Sequence, residues 1–136
     1  MGIKVDGVAP LIQVFDMPRS VAFYRDVLGF EVVATSPPRG LDDFDWGLLR
    51  LEGIELMLNT AYDADERPAA PDASRVAAHG DIAFFFGCPD VDAAYEQLRA
   101  KGVRVEPPAI AHYGMKQLHL TDPDGYGICL QVRVAP

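Results

Sequence analysis

Apolar and polar positions along the chain follow two periods, about two residues and about 3.6, and the order in which these periods appear occurs twice. Residues 8–15 form an apolar run of strand length. Asp16 follows as a side-chain N-cap, with Pro18 in the first turn, where its missing N–H is harmless. Val21, Phe23, Tyr24, Val27 and Leu28 recur at helical spacing, and Gly29 supplies a left-handed stop. Residues 30–34 read as a second strand. After a Pro/Gly/Asp loop at 37–45, residues 46–51 and 54–58 flank Glu52-Gly53, a hairpin signal.

The second half repeats this order. Residues 82–86 predict a strand, Asp90 an N-cap, and Val91, Ala94, Tyr95 and Leu98 one helical face that Gly102 stops. Residues 103–105 predict the next strand. Residues 118–120 and 128–130 flank Asp122-Pro123-Asp124-Gly125, which suits a type I turn followed by a positive-φ glycine. Gly29 and Gly102 lie 73 residues apart, and Glu55 and Cys129 lie 74 apart. A near-constant offset is a duplication signal. The pattern predicts one α+β domain: a module at 8–59, a linker at 60–80 and a second module at 81–133. The linker is rich in Ala, Pro and Asp, and is read as a connection without secondary structure, stiffened by Pro68 and Pro71, with a lid as the alternative.

Alternation gives each strand two faces. Ile54, Leu56 and Leu58 oppose Glu55, Met57 and Asn59, and Ile82, Phe84 and Phe86 oppose Asp81, Ala83 and Phe85. Leu118 and Leu120 oppose Gln117, His119 and Thr121, while Ile128, Leu130 and Val132 oppose Cys129 and Gln131. The apolar faces are expected to pack on the two amphipathic helices. The mixed faces are expected to line a shared concavity with Gln13, Glu55, Met57, Asp81, Phe85, His119, Cys129 and Gln131. A few polar groups among apolar walls is the composition of a ligand pocket. Taken singly, Gln13, Gln117 and Gln131 read first as solvent-facing strand residues. Trp46, Tyr62 and Tyr113 read first as packing aromatics and second as rings that stack on a flat ligand.

Charge and composition narrow the function classes. Twenty acidic against twelve basic residues give a net charge of −8, which argues against nucleic acid and favours, weakly, a cationic ligand. No apolar run approaches the ~20 residues of a membrane helix. Residues 1–6 lack the core of a secretory signal, so a cytoplasmic location is expected. Cys88 and Cys129 lack CxxC spacing and read as reduced thiols. Asp42-Asp43-Phe44-Asp45 reads as a solvated loop.

The segment Asp16-Met17-Pro18-Arg19-Ser20-Val21-Ala22-Phe23-Tyr24, ending at Leu28-Gly29-Phe30, resembles the first-module signature of the glyoxalase/bleomycin-resistance (vicinal oxygen chelate) superfamily. Asp122-Pro123-Asp124-Gly125-Tyr126 resembles its second-module ending, and Tyr113-Gly114-Met115-Lys116-Gln117 is similar to the bleomycin-resistance-like branch. The resemblance covers about residues 8–133 and implies two tandem βαβββ modules forming a cupped mixed sheet, with helices on its outer face. It also implies a homodimer in which modules of two chains complete each cup.

In metal-dependent members the ligands come from four inward positions, which fall here on Ala9, Glu55, Asp81 and Cys129. Alanine cannot coordinate, Asp81 stands where histidine is usual, and Cys129 stands where glutamate is usual. If an ion is held, its ligands are Glu55, Asp81 and Cys129, with zinc, nickel, manganese or iron as the candidates. The resemblance therefore implies, first, a metal-independent binder that sequesters an antibiotic or toxic metabolite. Its ligand-binding residues would be Gln13, Trp46, Glu55, Met57, Asp81, Phe85, Tyr113, His119, Cys129 and Gln131. The alternative is a glyoxalase-like lyase or isomerase, or a dioxygenase, using a divalent metal or acid-base chemistry at Glu55 and His119. A structural or protein-interaction role is the third reading.

Overall fold

The computed structural model describes residues 1–135. Clustering of contacts divides the chain between Ala70 and Pro71 into two compact units. In the first, β1 (Leu11–Val14) leads into α1 (Met17–Ala22), followed by β2 (Glu31–Thr35), β3 (Trp46–Leu51) and β4 (Ile54–Thr60). The sheet runs in the order β1-β4-β3-β2, with β1 parallel to β4 and the other neighbours antiparallel. The expected first strand shortens to its last residues, although Pro10 still accepts a ladder bond from the Met57 N–H at 2.8 Å.

Asp16 caps α1 by accepting from the Arg19 N–H at 3.3 Å. Residues 23–27 then widen into a π-turn, in which the Leu28 N–H reaches the Phe23 carbonyl at 3.3 Å, and Gly29 ends the helix at φ +93°. α1 lies against β4. Val14, Val21, Tyr24, Leu49 and Leu58 are fully buried and form the core of this unit with Met17. Fully burying a side chain of this kind stabilises by roughly 1.5–3 kcal/mol. Ile54 shares the face of Leu56 and Leu58, as expected, but lies exposed at the strand's start.

The second unit holds α2 (Ala73–His79), β5 (Ala83–Gly87), α3 (Val91–Ala100), β6 (Ala109–Ile110), β7 (Met115–Thr121) and β8 (Gly127–Arg133). Its sheet order is β5-β8-β7-β6, with β5 parallel to β8, so the topology of the first unit recurs. α3, capped by Asp90 on the Ala93 N–H at 2.9 Å, packs against β7 and β8 over Val91, Leu98, Leu118 and Ile128. The α+β class and the paired modules stand as expected.

Three local expectations are corrected. Residues 103–105 lie outside any strand, and pairing to β7 begins only after Pro107-Pro108, which supply no N–H to a ladder. The connection 60–80 is not without structure. It carries a 3-10 turn (Ala64–Glu66) and α2, which Asp72 caps on the N–H groups of Ser74 and Arg75. The acidic run 42–45 is not a solvated loop either. Asp42 pairs with Arg25 at 3.0 Å, Asp43 with Arg67 at 2.8 Å and Asp45 with Arg39 at 2.7 Å, while Phe44 is buried beneath Gly47.

Each end of the connection is pinned within its own unit, the first by Arg67 on Asp43. In the second, the His79 ring stacks on Tyr126 with centroids 4.1 Å apart, and its Nδ1 meets the Asp124 carbonyl at 2.7 Å.

Candidate functional site

Register pairing resolves each sheet's mixed face into rows of neighbours, since residues opposite one another project to the same side. In the first sheet Gln13, Asn59 and Trp46 form one row, Leu11, Met57 and Leu48 the next, and Glu55 with Arg50 the third. Gln13, Trp46, Glu55 and Met57 therefore share one face, as expected. Asn59 Nδ2 donates to Gln13 Oε1 at 3.4 Å. Glu55 is not a free carboxylate, because Arg50 Nη2 reaches its Oε2 at 2.6 Å.

In the second sheet Phe85, Cys129 and His119 form one row, Gly87, Gln131 and Gln117 the next, and Met115 with Arg133 the third. Phe85, His119, Cys129 and Gln131 share that face, and Tyr113 joins it through Gln117. Gln117 Nε2 donates to the Tyr113 hydroxyl at 2.7 Å and to Gln131 Oε1 at 2.9 Å. Phe85 and His119 are exposed, but Cys129 between them is 1% exposed. Burial pushes its thiol pKa upward against a smaller opposing hydrogen bond at Leu118, which keeps the group protonated.

Asp81 falls outside this face. β5 begins at Ala83, and Asp81 sits in the exposed turn after α2, with its N–H on the Ala78 carbonyl at 3.2 Å. The helix that ends at His79 consumes the residues that would otherwise extend the strand.

The four inferred ligand positions thus hold an alanine, a carboxylate already paired to arginine, a turn aspartate and a buried thiol. Metal binding needs a thiolate or a carboxylate free to close on the ion. Among the described residues no three His, Cys, Asp or Glu side chains stand close enough to hold a metal. Taken one by one, the alanine, the arginine-paired carboxylate and the buried thiol are poor ligands.

A cavity opens within each unit. The first unit's, about 340 Å³, is lined by Asp45, Asn59, Tyr62, Asp63 and Glu66, and Arg39 already answers Asp45. The second unit's, about 510 Å³ and wide open to solvent, lies where the chain leaves β5 and is lined by Gly87, Cys88, Pro89, Met115, Gln131, Val132 and Arg133. Its walls are mainly apolar. A Cβ built at Gly87 meets nothing within 4 Å, so the glycine itself leaves room there. Sequence reading missed Gly87, Met115, Arg133 and Arg50. Period-two extension from Cys129 through Gln131 marks Arg133, and the position across the two-residue turn from Glu55 marks Arg50.

With this geometry in view, the family is settled. The model of the Glyoxalase/Bleomycin resistance protein/Dioxygenase superfamily matches residues 5–130, and the chain belongs to that superfamily. No curated protein sequence matches it.

Among solved structures, a glyoxalase/bleomycin resistance protein/dioxygenase from Nocardioides superposes with a TM-score of 0.71 at 19% identity, covering 98% of this chain and 87% of that one. TnmS3, an antibiotic binding protein from Streptomyces sp. CB03234, gives 0.69 at 24% identity over 98% of this chain and 100% of its own. A bleomycin-binding protein complexed with bleomycin gives 0.66 at 19% identity over 96% and 100%. These likenesses show the fold. No helix among the described residues is long and apolar enough to cross a membrane.

Proposed function

We propose that this protein binds a small organic molecule, of the antibiotic or toxic-metabolite kind, without a resident metal ion, and so sequesters it. The observation that supports the reading is the open, mainly apolar depression of about 510 Å³ in the second unit, widened by Gly87 and edged by Gln131 and Arg133. Because the depression is open to solvent, it would hold one face of a flat ligand rather than enclose the whole molecule. Antibiotic-binding and bleomycin-binding proteins among the similar folds support the ligand class.

The engagement of the Glu55 carboxylate by Arg50 is consistent with binding, and Glu55→Gln and His119→Ala test the acid-base alternative. The ill-matched donors at Ala9, Glu55, Asp81 and Cys129 support metal independence. The acting form is taken to be a homodimer, which sedimentation tests.

The deciding experiment is a thermal-shift panel of planar aromatic compounds, bleomycin among them, on the full chain with and without EDTA. At least one compound should raise Tm, since saturation at 100 times Kd adds about 2.7 kcal/mol. EDTA should leave that rise intact, and Gly87→Leu, which fills the cavity, should abolish it. A silent panel, or a rise that EDTA removes, would overturn the reading.

A further inference from the structure

The charged and amide side chains that edge the second unit's cavity, Arg133 and Gln131, can offer it hydrogen-bond donors. Gln117 is only 7% exposed and spends both Nε2 protons, one on Tyr113 and one on Gln131 Oε1. The reverse orientation of that amide would strand two N–H donors on a buried side chain, which costs more than a carbonyl with a spare lone pair. Oriented as it is, Gln117 occupies the carbonyl of Gln131. The Gln131 NH₂ is then the group left for the cavity that this residue lines. Tyr113 accepts from Gln117, so its own O–H remains to donate. Arg133, on the next row beside Met115, forms no ion pair with any described residue and presents only donors.

Among the described residues, no carboxylate lines the cavity. The net charge of −8 favours cations from a distance. At physiological salt, however, fields from exposed charges fade beyond roughly 8 Å, so the groups in contact decide. A guanidinium and an amide NH₂ at an apolar wall recognise a planar or near-planar oxygen acceptor, as in bidentate carboxylate pairing.

Resting on the binding reading above, we infer that the ligand of this cavity is a flat apolar molecule bearing an anionic or strongly accepting oxygen — a carboxylate, phenolate or conjugated carbonyl — rather than the cation that the chain's overall charge suggests. The apolar body lies against Pro89 and Met115 in the space above Gly87, and its oxygen meets Gln131 and Arg133. The acidic first cavity is a separate place where a cation would collect. Binding assigned to the second cavity is therefore the part that Gly87→Leu removes.

Three probes with one ring system test this by calorimetry on the full chain: 2-naphthoate, 2-acetylnaphthalene and 2-naphthylmethylammonium. Naphthoate should bind at least tenfold more tightly than the ammonium compound, with the neutral ketone between them. Arg133→Met should weaken naphthoate about tenfold while sparing the ketone more. Gln131→Glu keeps the acceptor that Gln117 needs but replaces the NH₂ with a carboxylate oxygen, and should invert the order so that the ammonium compound binds best. Circular dichroism melting checks that both variants fold.

Ammonium binding equal to or tighter than naphthoate, in the part removed by Gly87→Leu, overturns this inference and leaves the binding reading standing. Indifference of naphthoate to both substitutions does the same. Silence from all three probes overturns it as well, and only a silent wider panel would take the binding reading with it.

Discussion

The two units share one ladder and differ in what they hang on it. Sheet orders β1-β4-β3-β2 and β5-β8-β7-β6 are the same topology, and in each the first strand lies parallel to the last. On the mixed face, however, the row Leu11, Met57, Leu48 of the first sheet becomes Gly87, Gln131, Gln117 in the second. The next row changes from Glu55 with Arg50 to Cys129 with His119. Three apolar side chains abreast fill a row, whereas a glycine beside an amide opens one. The buried faces, fixed by Leu49, Leu58, Leu118 and Ile128, show no such divergence in character. Packing constrains one side of a duplicated sheet, and the other side is free to acquire a site.

The sharpest way to break the comparison is at the hairpin turns. In the second unit Gly125 has φ +90°, and a Cβ there would stand 2.8 Å from both the Val76 side chain and its carbonyl, because α2 lies on the turn. Gly125→Ala should cost more than about 2 kcal/mol in urea unfolding, through left-handed strain and overpacking together. At the first unit's turn a Cβ on Gly53 meets nothing within 4 Å. Gly53→Ala should stay within about 0.5 kcal/mol. Equal costs would mean that α2 does not seat on the second turn.

A smaller effect is expected where the first unit pins the connection. Arg67 forms a two-pronged bond to Asp43 at 2.8 and 3.4 Å, and holds its carboxyl below the ordinary carboxylate range. The stabilisation is therefore present above the unfolded pKa and is lost as pH falls through the lowered folded one. Asp43→Asn should cost about 1.5–3 kcal/mol at pH 7, since it leaves a part-buried arginine whose buried Nε already lacks a partner. The loss relative to wild type should shrink steadily as the buffer is taken into the acid range. A pH-independent difference would place the energy in packing rather than in charge. The corresponding pin in the second unit, His79 on Tyr126 and Asp124, involves no carboxylate side chain of this kind and supplies the contrast.

Which parts of this were readable from the chain follows from the range of the interactions involved. The helix starts at Asp16 and Asp90, the stops at Gly29 and Gly102, and the positive-φ Gly125 are local chemistry, and residue type alone announces them. Face assignment was equally legible, because period two carries Glu55, Met57, Cys129 and Gln131 to defined sides. Asp81 was misplaced because extending alternation backward assumes a strand, whereas α2 had already claimed the residues up to His79. Arg50, Arg67 and Arg133 escaped notice for a different reason. A charged residue announces no partner, and only the register or the tertiary path shows whether a carboxylate meets it.

The smallest effect concerns Glu55, and it bears on the comparison most directly, since this is the position where the first sheet carries a carboxylate and the second a thiol. The pair with Arg50 is short, but the two side chains are 35% and 43% exposed, so water screens it. A double-mutant cycle with Glu55→Gln and Arg50→Met should give a coupling of roughly 0.2–1 kcal/mol, reduced further in 1 M salt. The single Glu55→Gln variant should melt within a degree or two of wild type, with or without EDTA. If Glu55 instead served as a metal ligand, EDTA would lower the wild-type Tm and Glu55→Gln would erase that response. The size of the coupling then reports whether this carboxylate closes the first sheet's face as an ion pair, which is the feature that sets it apart from the open face of the second.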